Sequence, residues 1–579
     1  MATNKIKIRR ARAEWWMTAA VLGTLAAASG WQCLPAAEAV SRGGRLVVSQ
    51  RSEPKTLNPV TALDGSSRGI IGLLHADLIH INRHSLNTEP GVASSWKVSS
   101  DGRVYTLELR HGLKFSDGQP FDSDDVLFTF EAYLDEHVHA SQRDLLLIAG
   151  KPINVQKVDA YTVRFELAQP YAAAERLFDS IAILPRHLLK RVYDAGGLAQ
   201  AWNLAVPPAQ VAGLGPFRVK QYVAGQRIIL ERNPYYWKKD SAGNSLPYLD
   251  EIDLEFTGNA EAEVMRFQRG EIDVAGRLSA ANFSALEKHQ REGRFRLFDL
   301  GPGLEYNFLF FNLNNLDASH TSIVQRQPWF RQLAFRKAIS EAIDREAICR
   351  LTYQGRARPL STHVTAGNKL WVNGNIPLAV HSAVKAREYL RNAGYSWTGA
   401  GHLIDGRRNP VSFSLIFNAG NPQHTQIATL IENDLEQIGM DVKVVPLEYR
   451  ALLDRIFKSY DYDASILQLA SGDADPNSEI NVWTSDGGTH VWNLGPKKER
   501  APWQEEVDRL MQQQMITTGY ARRKQMYDRV QQLIWENLPV ICLVSPDVLA
   551  GASERVGNFR PAILSDYALW NAEELFVRH

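Results

Sequence analysis

Two aspartates and a proline come directly after an apolar run and are the first candidates for a binding site. The run covers Ala464 to Ala470, and Asp473-Ala474-Asp475-Pro476 follows it. Aspartate and proline are ordinary turn formers, so the segment predicts a turn at the end of a strand. That turn is either solvated or faces a cleft. Because a cleft would make both carboxylates available to a ligand, Asp473 and Asp475 are candidate ligand-binding residues.

Three more residues are candidates for the same role. Glu53 lies a few positions after the first predicted strand, and Trp483 and Trp492 carry large amphipathic rings that either line pockets or pack in cores. The segments after Ser49 and after Leu467 are candidate cleft edges. An extended peptide can add to such an edge as a further strand, a mode of binding that tolerates many sequences.

The sequence contains few signals for catalysis or metal binding. The run Gly65-Ser66-Ser67-Arg68-Gly69 fits the Gly-x-Ser-x-Gly pattern of a nucleophile elbow, but residues 57–62 are a poor candidate for the strand that must precede it. His137 and His139 have no third ligand nearby in sequence, so a surface helix is the better interpretation. No glycine-rich loop with Lys-Ser/Thr is present to bind phosphate. We expect no enzyme, no metal and no cofactor, with a secreted serine hydrolase at Ser67 as a rival interpretation.

The composition predicts a large protein with more than one lobe. The chain has 579 residues, of which 45% are hydrophobic, and this is enough for a sizeable buried core. The formal net charge of +1 gives no indication of a nucleic-acid partner. Beyond residue 39, no stretch is long and apolar enough to span a bilayer.

The N-terminus has the three parts of a signal peptide. The basic region consists of Lys5, Lys7, Arg9, Arg10 and Arg12. A mostly apolar run covers Trp15 to Ala28, and Ala37-Glu38-Ala39 is a small-x-small cleavage site. Tryptophan and glutamine at positions 31 and 32 argue against Cys33 as a lipoprotein cysteine, and arginine at position 12 argues against a twin-arginine signal. We therefore expect a soluble, exported, periplasmic protein that begins at Val40.

Two cysteines, Cys349 and Cys542, remain after that cleavage. They either form one disulfide in an oxidising compartment or stay as buried thiols. The sequence leaves both alternatives open.

The most regular pattern lies between residues 92 and 131. Apolar and polar residues alternate over 104–110, which predicts a half-buried strand, and Asp101-Gly102 and Asp117-Gly118 are turn dipeptides on either side of it. Asp122 is the predicted N-cap of the helix that follows, with Asp125 three residues further on.

This segment closely resembles the signature of the bacterial extracellular solute-binding proteins of family 5, the peptide- and nickel-binding group that serves ABC importers. The matching pieces are Ala93-x-x-Trp96, Asp101-Gly102, Tyr105-x-Leu107-x-Leu109-Arg110-x-Gly112-x-Lys114-Phe115-x-Asp117-Gly118 and Asp125-Val126-x-Phe128. Two later runs, Gly213-Leu214-Gly215-Pro216-Phe217 and Arg336 to Arg345, also resemble the family. We expect the glycines of the first of these runs to permit backbone angles that other residues resist.

The resemblance implies an α/β, periplasmic-binding-protein-like fold of class II, cluster C type. Such a fold has three mixed α/β lobes and a ligand cleft between the first and the third. After a signal peptide at 1–39, we expect lobe I at 40–85, 201–310 and 545–579, lobe II at 86–200, and lobe III at 311–544.

The resemblance also implies a function. We expect a monomeric, exported substrate-binding protein of an ABC transporter, which captures oligopeptides or related small solutes and delivers them to permease subunits in the inner membrane. A ligand-sensing partner of a signalling receptor on the same fold is the alternative. Neither interpretation requires a nucleic acid.

One departure from the family concerns the ligand. In peptide-binding members, an acid four residues before the proline of this turn pairs with the α-ammonium of the peptide. Here that position is Gly472, and Asp473 lies three residues before Pro476. Either Asp473 serves in a shorter loop, or the amine anchor is missing and the ligand is not a free-amino peptide.

Overall fold

Three principal β-sheets organise the chain in the computed structural model, which describes residues 40–179, 181–494, 500–564 and 567–578. The predicted signal peptide, residues 1–39, lies outside the described residues. Within the described ranges, no helix has the length and apolar character that crossing a membrane requires. Strands and α-helices are numbered separately in chain order below.

The largest sheet has eight strands and draws them from both ends of the chain. They are β1 (Arg45–Gln50), β10 (Phe217–Val223), β11 (Arg227–Arg232), β12 (Glu251–Phe256), β13 (Val274–Ala275), β14 (Phe295–Pro302), β16 (Ala357–Pro359) and β23 (Val544–Ser553). Their order is β10-β11-β12-β1-β13-β23-β14, with β16 paired to β23. Strand β1 runs parallel to both of its neighbours.

The second sheet has five strands. They are β15 (Glu305–Phe311), β19 (Ser412–Asn418), β20 (Asp441–Leu447), β21 (Ala464–Ala470) and β22 (Val540–Cys542). Their order is β20-β19-β21-β15-β22. Strand β21 is therefore central, and the aspartates noted in the sequence follow its last residue.

The third sheet has four antiparallel strands in the order β4-β5-β9-β8. They are β4 (Ala93–Val98), β5 (Val104–Leu109), β8 (Asn154–Asp159) and β9 (Thr162–Glu166). Two-stranded ribbons complete the described strands: β2 (Ile79–Ile81) with β3 (Thr88–Pro90), β6 (Leu147–Ile148) with β7 (Lys151–Pro152), β17 (Ser396–Trp397) with β18 (Leu403–Ile404), and β24 (Val556–Gly557) with β25 (Phe576–Val577).

Helices lie between the strands throughout, as expected for mixed α/β lobes. They are α1 (Gly65–Leu74), α2 (Ser123–Leu134), α3 (Ala174–Leu177), α4 (Arg186–Asp194), α5 (Ala260–Gln268), α6 (Ala280–His289), α7 (Thr321–Arg331), α8 (Leu333–Ala342), α9 (Arg345–Thr352), α10 (Ala383–Asn392), α11 (Pro422–Glu436), α12 (Tyr449–Asp454), α13 (Ile480–Trp483), α14 (Pro502–Ile516) and α15 (Tyr520–Asn537).

The predicted strand and helix start of the signature segment are confirmed. The alternating run forms β5, whose side chains are alternately half-buried and buried. Helix α2 has a capping box, in which the Asp122 side chain accepts a hydrogen bond from the backbone N–H of Asp124 at 2.8 Å and the Asp125 carboxylate accepts one from the N–H of Asp122 at 3.1 Å. Gly102 and Gly118 have positive φ of 69° and 89°, as their turns require.

Both faces of the five-stranded sheet are covered, which explains why β15 is apolar over most of its length. Leu309 and Phe311 pack on one face with residues of α8, α9 and α11, whereas Phe308 and Phe310 pack on the other with residues of α14 and α15. Because successive side chains of a strand point to opposite faces, a strand buried on both sides has to be apolar at consecutive positions.

The two larger sheets are joined by neighbouring chain crossings. The chain leaves the eight-stranded sheet at the end of β14 and enters the five-stranded sheet at β15, and it returns from β22 to β23 through Leu543. Strand β14 pairs with β23, and β15 pairs with β22, so the crossings lie side by side. The predicted lobe bounds remain predictions.

The glycines of the 213–217 turn have a role other than the expected one. Gly213 and Gly215 are not among the glycines with positive φ. A Cβ at Gly213 would instead lie 2.1 Å from the carbonyl oxygen of Leu74, and one at Gly215 would lie 2.4 Å from the Leu74 carbonyl carbon. Glycine is required because the turn touches the backbone at the end of α1.

The two cysteines are free buried thiols, so the second of the two alternatives holds. Cys349 lies in α9 and Cys542 in β22. Burial raises the pKa of each thiol to about 12. Neither thiol is therefore a ready nucleophile.

Candidate functional site

The segment from Ser471 to Glu479, which we call the acidic loop, follows β21 and leads into α13. It ends in a short 3₁₀ turn over Pro476–Glu479. Its first residue donates a backbone hydrogen bond to Leu304 at 3.2 Å, between the strands β14 and β15. The predicted turn at the end of the apolar strand is therefore present and lies beside the crossing that joins the two larger sheets.

Asp473 is engaged by an arginine from a distant part of the chain. The Nε and Nη2 groups of Arg176, in α3, donate to the two carboxylate oxygens of Asp473. The Nη1 group of Arg176 donates to the Leu86 carbonyl at 3.0 Å. The exposed fractions of the two charged side chains are 16% and 19%. Both carboxylate oxygens of this predicted ligand-binding residue therefore have an intramolecular partner.

Asp475 is buried and holds the fold of the loop. Its carboxylate accepts two hydrogen bonds from Arg523 of α15, at 2.7 and 2.8 Å. The same carboxylate accepts from the backbone N–H of Asn477 at 3.0 Å and thereby caps the 3₁₀ turn. A ligand role for Asp475 remains a prediction, and its observed contacts are structural.

Glu479, the third acid of the loop, is buried as well. It accepts hydrogen bonds from the Ser471 hydroxyl and from the Trp483 indole N–H, the latter at 2.8 Å. Burial raises the pKa of Glu479, although these two hydrogen bonds oppose the rise. The carboxyl group therefore resists carrying a negative charge in this position.

The two predicted pocket tryptophans lie in the core. Trp483 and Trp492 are 3% and 1% exposed and pack with the apolar cluster on the α14–α15 side of the five-stranded sheet. Their ring centroids lie 5.6 Å apart, and the Trp483 ring lies 3.9 Å from the ring of His363. Their role as pocket walls remains a prediction.

A small cavity adjoins the acidic loop. It has a volume of about 10 Å³, room for one water molecule at most, and is lined by Leu304, His363, Asn368 and Tyr527 together with residues of the loop. The Nε2 atom of His363 lies 3.0 Å from the Tyr527 hydroxyl, and burial lowers the pKa of His363 to about 3. This histidine is therefore neutral at physiological pH.

Two buried polar atoms of cavity-lining residues have no hydrogen-bond partner among the described residues. They are the Nδ1 atom of His363 and the Oδ1 atom of Asn368. The amide nitrogen of Asn368 donates to the Ala474 carbonyl at 2.8 Å, which ties this side chain to the acidic loop. Buried polar atoms are normally satisfied, and the size of the cavity allows a single water molecule to do so here.

Glu53 lies after β1 but is tied to a neighbouring hairpin. Its carboxylate accepts hydrogen bonds from the Gly225 backbone N–H at 2.8 Å and from the Tyr222 hydroxyl. These two bonds lower the pKa of Glu53 below its ordinary value, and the bond from the Gly225 backbone has the larger effect. Its ligand-binding role remains a prediction.

The serine of the Gly-x-Ser-x-Gly run does not have the geometry of a nucleophile elbow. Ser67 lies in the first turn of α1 and is fully buried. Its hydroxyl donates to the carboxylate of Asp64, the helix N-cap, at 2.7 Å and accepts from the backbone N–H of Lys55 at 2.8 Å. The hydroxyl therefore braces the start of the helix, and a hydrolase centred on it is not supported.

The two histidines of the sequence analysis also lie elsewhere than expected. His137 and His139 follow α2 in a turn, rather than lying on a helix. The Nδ1 atom of His137 lies 3.0 Å from the Asp135 carboxylate, and the side chain is 96% exposed.

A second polar cluster has the spacing of a metal site but the charges of an ion-pair network. Ligand atoms of Asp77, His80 and Asp179 lie within 4.8 Å of one another. The Arg83 guanidinium donates to both oxygens of Asp179, at 3.1 and 3.2 Å. Burial lowers the pKa of His80, but the hydrogen bond and charge of Asp77 raise it overall. The Arg83 guanidinium already occupies both oxygens of Asp179, and its positive charge disfavours a metal ion bound there.

Sequence reasoning found the acidic loop but missed the residues that surround it. Arg176 lies 297 positions from Asp473, and Arg523 lies 48 positions from Asp475. His363 and Asn368 are in an irregular segment with no periodic pattern. No local motif marks any of the four, because their proximity arises from the packing of separate elements.

The chain belongs to the bacterial extracellular solute-binding proteins of family 5, since residues 87–490 match the family's middle-region model. The family and fold class expected from the sequence are thereby confirmed.

Individual relatives match over nearly their full length. A probable ABC transporter-binding protein of Deinococcus radiodurans is 27% identical over 560 residues, which cover 93% of this chain and 92% of the relative. The oligopeptide-binding protein AppA of Bacillus subtilis is 25% identical over 526 residues, or 90% and 89% of the two chains. The solved structure of that AppA with a nonapeptide has a TM-score of 0.70 and 24% identity, and the match covers 93% of this chain and all of AppA.

Proposed function

We propose that the protein is an exported substrate-binding protein of an ABC importer, which captures oligopeptides or related small solutes and delivers them to a permease in the inner membrane. The match of residues 87–490 to the solute-binding family carries this proposal. The oligopeptide-binding relative and the nonapeptide complex of AppA support peptides as the ligand class.

The connection between the two larger sheets supports binding by closure around the ligand. Two side-by-side crossings, one before Glu305 and one at Leu543, join these sheets, and the acidic loop lies beside the first. Hinges are short segments of this kind that absorb the rotation of one body against another. A ligand that contacts both sheets would bind the closed form more tightly than the open form and so increase its population. The closed form would then dock on the permease.

The first experiment is the identification of the natural ligand. Mass spectrometry of the purified, acid-denatured protein is expected to release a small peptide or a related solute. A strain without the gene is expected to lose growth on that solute as the sole nitrogen source, and the intact gene is expected to restore it. Normal uptake by the deletion strain would contradict a transport role and favour the signalling alternative.

Two further measurements test the remaining parts of the proposal. Export is tested by N-terminal sequencing of the periplasmic protein, which is expected to begin at Val40. A role in binding rather than catalysis is tested by prolonged incubation of the ligand with purified protein, after which its mass is expected to be unchanged. A product that forms with wild-type protein would contradict the binding role.

A further inference from the structure

Every acidic side chain of the acidic loop already has an intramolecular partner. Asp473 is engaged through both oxygens by Arg176, and Asp475 through both oxygens by Arg523. Glu479 accepts from Ser471 and Trp483. No carboxylate of the loop is therefore left to bind a cationic group of a ligand.

The contact between Arg176 and Asp473 is hard for a ligand to replace. A guanidinium matches both oxygens of a carboxylate at once, whereas an ammonium acts as a point charge. Arg176 is also held in place, since it donates to the Leu86 carbonyl at 3.0 Å and the nearby Ala172 N–H donates to the Met515 carbonyl at 2.7 Å. A ligand ammonium would have to displace a tethered partner that competes at high effective concentration.

The polar atoms that remain unpaired beside the loop belong to neutral groups. His363 and Asn368 are 1% and 7% exposed, line the cavity, and carry the buried Nδ1 and Oδ1 atoms that lack partners among the described residues. A neutral hydrogen-bonding group stabilises a buried atom of this kind. A charged group would lose its hydration there without meeting a counter-charge. The cavity has room for a water molecule at most, so it offers no second site for a ligand ammonium beside the loop.

We propose that Arg176 is a specificity-determining residue that closes the Asp473 site to free amino groups, so that the protein takes solutes whose end at the acidic loop is uncharged, such as N-acylated peptides. This inference rests on the proposed binding function and deepens it. It selects, from the two alternatives that the sequence left open, the one in which the amine anchor is missing.

Two matched probes test the proposal, trialanine and N-acetyl-trialanine, with binding measured by titration calorimetry on the mature protein. Wild type is expected to bind the acetylated peptide at least as tightly as trialanine. Arg176→Gln uncovers Asp473 and is expected to raise the affinity for trialanine by about tenfold or more, since a charge-assisted hydrogen bond forms, while the affinity for the acetylated peptide stays unchanged.

Arg218→Gln is the matched control. Arg218 also pairs with one carboxylate, Glu231 at 2.8 Å, and with one backbone carbonyl, that of Ser116 at 3.2 Å, but it lies on β10. This variant is expected to bind both peptides like wild type. A second variant, Asp473→Asn, removes the carboxylate itself and is expected to leave the affinity for trialanine unchanged.

Several outcomes would overturn the proposal. One is a wild type that binds trialanine about tenfold more tightly than the acetylated peptide. Another is a folded Arg176→Gln protein whose affinity for trialanine does not rise. A third is an Asp473→Asn protein that no longer binds trialanine. If neither wild type nor Arg176→Gln binds either peptide, the proposal is also overturned. A solute that co-purifies with the protein would still support the proposed function. Conversely, a gain in Arg176→Gln without an uptake defect in the deletion strain would uphold this inference and the binding role, and would remove the role in transport.

Discussion

Asp475 and Arg523 are two oppositely charged side chains that lie together in the interior, each 7% exposed. Asp475→Asn leaves the guanidinium buried without its counter-charge, and removal of one partner of a buried ion pair costs about 3–5 kcal/mol. We expect the free energy of unfolding to fall by that amount, as measured by urea denaturation.

The matched control for Asp475→Asn is Asp486→Asn. Asp486 pairs with Arg500 at 2.6 Å, but its side chain is 79% exposed. Exposed ion pairs contribute about 0–1 kcal/mol, so this variant is expected to remain close to wild type. A small loss of stability in Asp475→Asn, together with a loss of ligand affinity, would contradict the structural role and support a direct contact with the ligand.

His363 predicts how the stability of the protein depends on pH. Burial lowers the pKa of His363 to about 3, whereas the unfolded side chain titrates near 6.5. Below that value the unfolded chain binds a proton that the folded protein does not. The contribution of His363 to the free energy of unfolding is therefore full above about pH 6.5 and is lost as the pH falls. By pH 5 the loss amounts to about 2 kcal/mol.

The variant His363→Gln tests this pH dependence. Urea denaturation at pH 7 and pH 5 is expected to show a smaller drop in unfolding free energy for His363→Gln than for wild type, by about 2 kcal/mol. His137→Gln is the control, because that side chain is 96% exposed, and it should reproduce the wild-type drop. An equal drop in all three proteins would show that His363 is protonated in the folded state.

At the scale of elements, the contact between α1 and the 213–217 turn depends on glycine. A Cβ at Gly213 would lie 2.1 Å from the Leu74 carbonyl oxygen, so Gly213→Ala must push the turn away from the helix end. Overpacking of this kind costs about 1–3 kcal/mol. We expect a matching decrease in unfolding free energy.

Gly65→Ala is the control for Gly213→Ala. A Cβ at Gly65, the first residue of α1, would meet no atom within 4 Å. The change is expected to alter stability by no more than about 0.5 kcal/mol. Equal losses in the two variants would show that the close approach to Leu74 does not determine the effect, because reduced flexibility of the unfolded chain would stabilise both.

At the scale of the whole molecule, the proposed function links ligand binding to stability. A ligand that binds the folded protein alone stabilises it by about 2.7 kcal/mol at a concentration of 100 times Kd. Protein freed of its co-purified solute is expected to regain this amount when the solute is added, as measured by urea denaturation. Glycine at the same concentration is the control, and an equal effect of glycine would point to a general solvent effect.

The sequence by itself determined the local structure and the family. Alternating residues over 104–110 specify β5, and Asp122 with Asp125 specifies the start of α2, because strand periodicity and helix capping are properties of neighbouring residues. The same local signals carried the family resemblance, and through it the fold class and the expectation of a binding protein.

The tertiary structure decided what the acidic loop can offer a ligand. Asp473 and Asp475 are conspicuous in the sequence, but Arg176 and Arg523 reach them from elements that fold separately. The charge that an acid presents depends on its neighbours in space, and those neighbours are fixed by the packing of sheets and helices rather than by spacing along the chain.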